Sequence, residues 1–370
     1  QGIAASQLSL GLMYRDGHGV ARDGAAAVDW VRRAAVEHDH APAQYQLGVM
    51  YEAGRDLPQD DAEAASWYRR AAEQGEPGAL AWYQRTAEQG SPVAQYDLGT
   101  MYANGRGVVR DPTKAVAWFR RAAARGHATA EFNLGVMYEA GRGVSQNDAT
   151  ARIWYRRAAE QGEPDALAWY QRMVEQGWSF AQYELGTMYA NGRGVPQDDA
   201  EALTLHRRAA IQGYALAEFT LGTRYAEGHG VPQDDAEAVD WFRRAAENRG
   251  APFLSGYAES QVNLGLMYRD GRGVVQDSAA AVRWYRRAAT QGHTGAQDEL
   301  AVMYVTGQGV PHDDIKAYMW YAVAARHSSE ENYNKYVHAR DAVAERLTSA
   351  QIAGAQRLAE EWNAARAHVP

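Results

Sequence analysis

Hydrophobic residues recur at helical spacing along almost the whole chain. Within residues 94–107, apolar side chains stand at positions i, i+4, i+7 and i+8, which form one face of an α-helix. The residues of this face are Ala94, Leu98, Met101 and Tyr102. Gly105 and Gly107 end the predicted helix, because a tight connection needs backbone angles that glycine reaches at low cost. We name helices of this type helix A.

A second helical segment follows each helix A after a short turn. In residues 111–126 it begins with an N-cap aspartate, Asp111, and with Pro112 at the first helical position. Its apolar stripe consists of Ala115, Trp118, Phe119 and Ala122. Elsewhere the start is predicted to be a capping box, in which an N-cap carboxylate pairs with a glutamate that reaches back: Asp60 with Glu63, Asp198 with Glu201, and Asp234 with Glu237. We name these segments helix B and expect a structural role for their acids.

The pair of helices repeats eight times. Each repeat is marked by an anchor leucine in helix A, followed by glycine, or by alanine in the last repeat: Leu10, Leu47, Leu98, Leu134, Leu185, Leu221, Leu264 and Leu300. The gaps between anchors are 37, 51, 36, 51, 36, 43 and 36 residues. A period near 36 is typical of a helix-turn-helix unit that must stack on its neighbours to bury its apolar face.

The two gaps of 51 residues contain a helix B copied in tandem. Residues 64–78 and 79–93 align without gaps at a shift of 15, and the same copy recurs at 162–177. Segments 44–130 and 131–217 are near-copies at a shift of 87. We therefore expect extra helices at about 77–89 and 164–176, five helices in each segment, and a local change of superhelical direction. A repeat array tolerates an added helix because each helix contacts only near neighbours.

The consensus "AQYxLGxMYxxGxGVxxDxxxAxxWxRRAAEQG" resembles the Sel-one-like repeat family, a relative of the tetratricopeptide repeats. The resemblance covers nearly the whole chain. It implies a right-handed α/α superhelix that serves as a scaffold or adaptor, in bacteria often in the envelope or at host contacts. The chain departs from the pattern at the two copied helices, at the connection 247–260, and at Leu205-His206, where other repeats carry an aromatic pair.

These observations predict an all-α fold, a right-handed α/α superhelix with two inserted helices and a C-terminal helical cap. Residues 1–328 are expected to form eight repeats and 329–370 the cap, with Thr348 and Gln351 as a capping box. Because Gln1-Gly2 matches the end of a helix B, we expect an open N-terminal edge that contacts upstream sequence or another chain. Self-association through that edge is a further alternative.

Charge and composition narrow the class of partner. The formal net charge of −8 opposes the positive potential that nucleic acid or an anionic membrane surface selects. No apolar run approaches the roughly 18 residues of a membrane-spanning helix, so membrane insertion is not expected. The absence of cysteine excludes disulfides and thiolate sites but leaves the compartment open. Only the family resemblance suggests the bacterial periplasm or secretion.

Few residues suggest chemistry. His38-Asp39-His40 could contribute to a metal site, but no third ligand is identifiable, and a solvated turn is the favoured interpretation. The recurring Gly-Arg-Gly-Val follows helix A without a Gly-Lys-Ser/Thr motif, which favours a turn over a nucleotide loop. No nucleophile elbow or acid–base pair stands out. We therefore predict no enzyme activity, no metal and no cofactor.

Paired arginines recur near the end of helix B: Arg32-Arg33, Arg69-Arg70, Arg120-Arg121, Arg156-Arg157, Arg207-Arg208, Arg243-Arg244 and Arg286-Arg287. Cations there complement the helix dipole, and their stems can cover apolar neighbours. A structural role is the favoured interpretation, and a stripe that binds an acidic partner is the alternative.

A second stripe on helix A supplies the candidate binding site. Positions −5, −2, +2, +5 and +6 from the anchor leucine share a face distinct from the core stripe. The resemblance to related superhelices, in which the first helix of each unit lines the concave side, implies that this face does so here. The candidate partner-binding residues are Tyr45, Tyr96, Phe132, Phe180, Tyr183, Thr187, Asn191, Leu216, Phe219 and Thr223. Aromatic rings flanked by adaptable polar groups suit a peptide-binding groove. Packing between adjacent A helices is the alternative.

Three functions follow from these patterns. The first is a non-catalytic adaptor that binds a protein or peptide in its concave groove. The second is an envelope scaffold whose exposed rings stack on polysaccharide or cell-wall glycan. The third, a hydrolase acting on β-lactam-like compounds, comes only from cysteine-rich, helicobacter-type members of the family, and the lack of cysteine here weakens it.

Overall fold

The computed structural model describes residues 2–247 and 255–367, so the interpretations of Gln1 and of much of the 247–260 connection lie outside it. Within those residues the chain forms twenty α-helices and no strand. The helices are α1 Gly2–Asp16, α2 Gly24–Glu37, α3 Ala41–Ala53, α4 Asp61–Glu73, α5 Pro77–Glu88, α6 Pro92–Asn104, α7 Pro112–Ala123, α8 Ala128–Ala140, α9 Asp148–Glu160, α10 Pro164–Glu175, α11 Ser179–Asn191, α12 Asp199–Ile211, α13 Ala215–Glu227, α14 Asp235–Glu247, α15 Ser255–Asp270, α16 Ser278–Thr290, α17 Thr294–Thr306, α18 Asp314–His327, α19 Glu330–Ala344 and α20 Ser349–Ala367. The all-α prediction is confirmed.

The helices belong to two compact units, residues 1–169 and 170–370. Helix A corresponds to α1, α3, α6, α8, α11, α13, α15 and α17, and the helix that follows each of them is helix B. The expected copied helices are present as α5 and α10, and each is separated from the preceding helix B by a turn at a positive-φ glycine, Gly75 or Gly162. Segments 44–130 and 131–217 therefore show the same order of five helices, as predicted. The separation of repeats from cap at residue 329 stays a prediction.

The glycine beside the anchor leucine lets helices A and B approach closely. A Cβ atom at Gly135 would lie 2.5 Å from two ring carbons of Tyr155 in helix B of the same repeat. The same arrangement pairs Gly48 with Tyr68, and Gly99 with Phe119, each at 2.7 Å. These contacts are shorter than a side-chain methyl permits, so the ring of helix B lies directly on the backbone of helix A. The buried rings Tyr68 and Tyr155 are each 1 % exposed.

A backbone hydrogen bond joins the two helices of every repeat. The N–H of the helix B N-cap donates to the carbonyl of the tyrosine four residues after the anchor leucine, at 2.9 to 3.1 Å in all eight repeats. The predicted capping boxes at Asp60, Asp198 and Asp234 are therefore half wrong. Their carboxylates do accept from the first-turn amides. The N-cap N–H from which the glutamate carboxylate would accept already donates to the tyrosine carbonyl.

The capping box of the C-terminal helix is complete. The Thr348 N–H donates to Oε1 of Gln351 at 2.9 Å, and the Gln351 N–H donates to the Thr348 hydroxyl at 3.3 Å. Among residues 2–247 and 255–367, no backbone carbonyl accepts from the Thr348 N–H, so this N–H is available to the side chain of Gln351. This prediction is confirmed.

A buried polar residue three positions before the anchor leucine links successive helices. The residues are Gln44, Gln95, Glu131, Gln182, Glu218, Gln261 and Gln297, none more than 3 % exposed. The Gln44 amide donates to the Ala35 carbonyl at the end of the preceding helix B, at 3.2 Å. Its own oxygen accepts from Gln74, at the end of helix B in the same repeat, at 2.9 Å. One side chain thus satisfies groups on two helices, which fixes their relative register.

The turn after helix A docks on the preceding repeat, and the copied helix changes the docking point. A Cβ at Gly143 would lie 2.3 Å from the carbonyl oxygen of Pro112, the first residue of the preceding helix B. Gly107, which follows the copied helix, approaches the Ala72 carbonyl near the end of α4 instead. Both glycines have φ near +70°. The added helix is therefore accommodated by moving a turn contact from the start of one helix to the end of another.

In the second repeat, the turn after helix A again contacts the start of the preceding helix B, but the side chain is on the turn and the glycine is on the helix. Asp56 takes the position that glycine holds in most turns, with φ of +59°. The first residue of the helix it approaches is Gly24, and a Cβ there would lie 2.9 Å from the Asp56 Cβ. The contact between turn and helix thus has room for one side chain only, which belongs to the first residue of the helix in one repeat and to the turn in the other.

The ring-on-glycine contact predicts that Gly135→Ala destabilises the protein. Helix propensity alone favours alanine by about 0.5 to 1 kcal/mol. The overlap with Tyr155 should reverse that sign and lower the free energy of unfolding by about 1 to 3 kcal/mol. Urea unfolding followed by circular dichroism measures the change. Gly2→Ala is the control, since nothing lies within 4 Å of its Cβ; a Gly135→Ala variant as stable as wild type would contradict the account.

Candidate functional site

The ten candidate residues lie on helix A and are half-buried, except Asn191, which is exposed. Five of them are aromatic and occupy the same position, two residues before the anchor leucine: Tyr45, Tyr96, Phe132, Tyr183 and Phe219. Each of these rings lies 5.4 to 6.0 Å, centroid to centroid, from a ring of helix B in its own repeat. The position is therefore fixed by packing while part of each ring remains accessible.

Several of these rings also contact the start of the next helix. The Tyr96 ring stacks on His127 at 4.7 Å, and the Tyr183 ring lies 5.3 Å from Tyr214. His127 and Tyr214 are the N-cap residues of α8 and α13. Packing and exposure coexist in these rings, and the packing runs to helix B and to the next helix start.

The polar residues of the stripe are partly used within their own helix. The Thr187 hydroxyl donates to the Tyr183 carbonyl at 2.9 Å, and the Thr223 hydroxyl donates to the Phe219 carbonyl at 3.2 Å. Asn191 is the last residue of α11. The remaining two members, Phe180 and Leu216, share a position five residues before the anchor, and Phe180 lies 6.1 Å from the exposed ring of Trp178.

The paired arginines have partners that support the structural interpretation. The second arginine of the pair lies over the tryptophan three residues earlier, at 4.6 to 5.0 Å from the ring centroid, in six repeats: Arg33, Arg70, Arg121, Arg157, Arg244 and Arg287. In five pairs the first arginine reaches a tyrosine hydroxyl on the next helix A, as Arg286 does to Tyr304 at 3.1 Å. In another pair, Arg69 lies 3.9 Å from the Asp97 carboxylate. Cation–π contact and hydrogen bonding hold these side chains against the protein.

The other candidate motifs form turns. The Asp39 carboxylate, in the His38-Asp39-His40 turn, accepts from the amides of Gln44 and Gln74 at 2.6 and 3.2 Å. Residues 2–247 and 255–367 contain no group of three histidine, aspartate or glutamate side chains arranged to hold a metal ion. The same residues contain no helix that is both long and apolar enough to cross a membrane.

A buried polar pair beside the stripe was missed in the sequence, although Leu205-His206 had been noted as irregular. His206 is 2 % exposed and stands where the first copy has Phe119, and Arg224 is 9 % exposed and stands where it has Met137. His206 Nε2 lies 3.3 Å from the Thr187 hydroxyl. Within the described residues, His206 Nδ1 and Arg224 Nη1 are buried without a hydrogen-bond partner. The comparison of the two copies is the signal that identifies this pair.

The environment of His206 disfavours its charged form. Burial lowers the pKa of His206 to about 4, and the positive charge of Arg224 contributes in the same direction. From α11 it faces the ring of Tyr183 and the Thr187 hydroxyl. The carboxylate nearest to the guanidinium of Arg224 is Asp199, at 3.6 Å. His206 is therefore neutral near pH 7.

A family model and solved structures of known proteins both match this chain. A family model described as "Sel1 repeat" matches ten segments: 4–35, 41–76, 78–91, 92–127, 128–163, 164–178, 179–214, 215–249, 258–293 and 294–329. The two short matches, 78–91 and 164–178, coincide with the copied helices α5 and α10. The search of curated proteins gives no match.

Two solved structures resemble the chain over most of its length. A Sel1 repeat protein from Oxalobacter formigenes is 33% identical, with 91% of this chain and 87% of that chain covered and a TM-score of 0.42. A protective antigen of uropathogenic Escherichia coli strains, described as displaying an SLR fold, is 29% identical, with 97% and 91% covered and a TM-score of 0.36.

The buried histidine predicts that stability falls in mild acid. The imidazole of the unfolded chain takes up a proton near pH 6.5, whereas His206 in the folded protein does so near pH 4. The free energy of unfolding should therefore decrease as pH falls from 6.5 to 4, by on the order of 3 kcal/mol in total from this group.

The control is His206→Phe combined with Arg224→Met, which installs the residues of the first copy. Denaturant unfolding at pH 7 and at pH 4.5 should show a smaller loss in this variant than in wild type. Parallel losses in the two proteins would show that His206 does not carry the pH dependence.

Proposed function

The chain belongs to the Sel1 repeat family, and from this premise we propose that it is a non-catalytic adaptor that binds a protein or peptide along helix A. Proteins with this repeat are generally protein-interaction scaffolds. The proposed site residues are the ten candidates of the stripe, and the seven that lie in the unit 170–370, Tyr183 and Phe219 among them, are the ones tested below. Nucleic acid is not an expected partner, because the formal net charge is −8.

One observation carries this proposal. The same helix A position presents a half-exposed ring in five repeats, and each ring is held by a ring of helix B. A ring that is already fixed loses little conformational entropy when a partner covers it, which makes it a suitable anchor. Within each of the two compact units such anchors recur at repeat spacing, which fits an extended or helical segment better than it fits a small molecule.

Two other functions make different demands on the same surface. A glycan-binding scaffold would also use exposed rings, by stacking them on sugars, so a pull-down with cell-wall glycan distinguishes it from a peptide binder. A hydrolase would turn over β-lactam compounds, which a chromogenic substrate detects. Nothing in the described site favours either function over peptide binding.

The proposal is tested by replacing both central rings, Tyr183 and Phe219, with alanine. Affinity capture from the native source, followed by mass spectrometry, identifies the partner, and calorimetry then measures its affinity. Loss of two central anchors should weaken binding by roughly 2 kcal/mol or more. Because both rings also pack on helix B, the free energy of unfolding should fall by about 2 kcal/mol as well.

Two controls separate binding from stability. Tyr14→Ala removes a ring of the core stripe in α1, and should lower stability without changing affinity. Asn191→Arg places a bulky charge on the exposed end of the stripe, and should weaken binding with little change in melting temperature. Unchanged affinity in both the double variant and Asn191→Arg would place the partner on another surface.

A further inference from the structure

The two near-copies differ systematically at one end of their helices. Five positions carry a larger or more apolar residue in the second copy than in the first: Trp178 for Ser91, Phe180 for Val93, Ile211 for Ala124, Tyr214 for His127 and Leu216 for Thr129. All five stand where one helix ends and the next helix A begins, at the α10–α11 and α12–α13 turns. We name these five residues, together with Arg208, the apolar edge.

Burial does not explain the change at Trp178 and Ile211. Trp178 is 53 % exposed and Ile211 is 70 % exposed, whereas residues enlarged for core packing would be covered. The Trp178 ring rests against Phe180, and its Nε1 donates to Oε1 of Gln176 at 3.1 Å. Tyr214 is held against Tyr183. The end of α12 lies beside α11, since the Gln212 amide donates to Oε1 of Gln182 at 2.8 Å. Exposed apolar residues at neighbouring turns mark an interaction site more often than isolated ones do.

The edge also contains Arg208, whose counterpart in the first copy, Arg121, makes a cation–π contact. Arg121 of the first copy lies over Trp118 at 4.6 Å. Leu205 replaces this tryptophan in the second copy, and in the described part of the chain the guanidinium of Arg208 has no ring, carboxylate or hydrogen-bond partner. Arg208 lies three residues before Ile211, on the same face of α12. An available guanidinium beside apolar side chains suits a ligand that carries a carboxylate.

The size of the edge decides between a folded partner and a peptide. Aromatic side chains bury about 150 to 250 Å² each when fully covered. Two largely exposed and three half-buried side chains therefore offer on the order of 400 Å², about half of the roughly 800 Å² that each partner contributes to a stable interface. A second folded copy of the chain would need a larger surface than this one.

We infer that the apolar edge docks a short peptide segment that carries at least two large apolar side chains and a carboxylate. This inference rests on the proposed adaptor function and specifies its ligand. Trp178 and Ile211 contact the apolar side chains, and Arg208 pairs with the carboxylate of an acidic residue or of a chain end. The first copy lacks all three features and does not bind such a segment at the equivalent turns.

The test is selection of random 12-residue peptides displayed on phage against the full chain. Selected peptides should be enriched in Leu, Phe or Trp together with Asp, Glu or a free C-terminus. Synthetic versions are titrated against wild type and against Trp178→Ser combined with Ile211→Ala. These are the residues of the first copy, so the variant should keep its melting temperature while its affinity falls at least tenfold.

A charge reversal provides a matched pair of variants. Arg208→Glu should weaken the acidic peptides about tenfold, and this loss should shrink when the peptide acid is replaced by its amide. Arg121→Glu makes the same change at the equivalent position of the first copy, and should leave binding unchanged. Equal effects of the two reversals would overturn the assignment to Arg208.

The remaining outcomes separate this inference from the proposed function. If the Tyr183→Ala, Phe219→Ala variant loses the selected peptides and Trp178→Ser, Ile211→Ala keeps them, the edge inference is wrong and the stripe stands. The reverse result supports the edge and shows that these peptides do not depend on Tyr183 or Phe219. Two further results would overturn the inference. One is a wild-type dimer in sedimentation that becomes a monomer in the Trp178→Ser, Ile211→Ala variant. The other is that no selected peptide binds with a Kd of about 100 μM or tighter.

Discussion

The arrangement of each repeat depends on one steric constraint, the contact of a helix B side chain with a glycine of helix A. Because Gly135 has no Cβ, the Tyr155 ring reaches the helix backbone, and the two axes come closer than two larger residues would allow. This contact explains why the anchor is a leucine–glycine pair inside a helix, where glycine is otherwise unfavourable. The tyrosine carbonyl and the helix B N-cap then fix the angle at which the second helix leaves the first.

The candidate site inherits its geometry from that constraint. The rings two positions before the anchor leucine pack against the same helix B rings that lie on the glycines. Each half-buried ring of helix A is therefore held by a buried ring of helix B. A substitution of the buried ring changes the surroundings of the ring that is partly exposed. The substitution of Phe119 by His206 at the equivalent position of the second copy is such a change, and it brings a titratable group next to Tyr183 and Thr187.

Much of the fold could be predicted because its determinants are local. Helix lengths, copied helices and the Thr348–Gln351 capping box follow from spacing, glycine turns and caps that lie within a few residues of one another. The reciprocal half of the capping boxes was wrong because the competing acceptor, a tyrosine carbonyl, becomes visible only when helix A is placed. Comparison of the two copies could have identified Arg224 as unusual, but not its role, because that role depends on where Asp199 and His206 lie in space.

The exchange between Gly24 and Asp56 limits how such arrays can be rearranged. A turn with glycine at the docking point fits a preceding helix whose first residue carries a side chain, as Gly143 fits Pro112. A turn with aspartate there fits a preceding helix that begins with glycine, as α2 does. The repeat that carries Asp56 is thus not interchangeable with its neighbours, and recombination that moved it behind α14, which begins with Asp235, would bring two carboxylates together. The order of the repeats is therefore constrained by pairs of contacting residues that belong to different repeats.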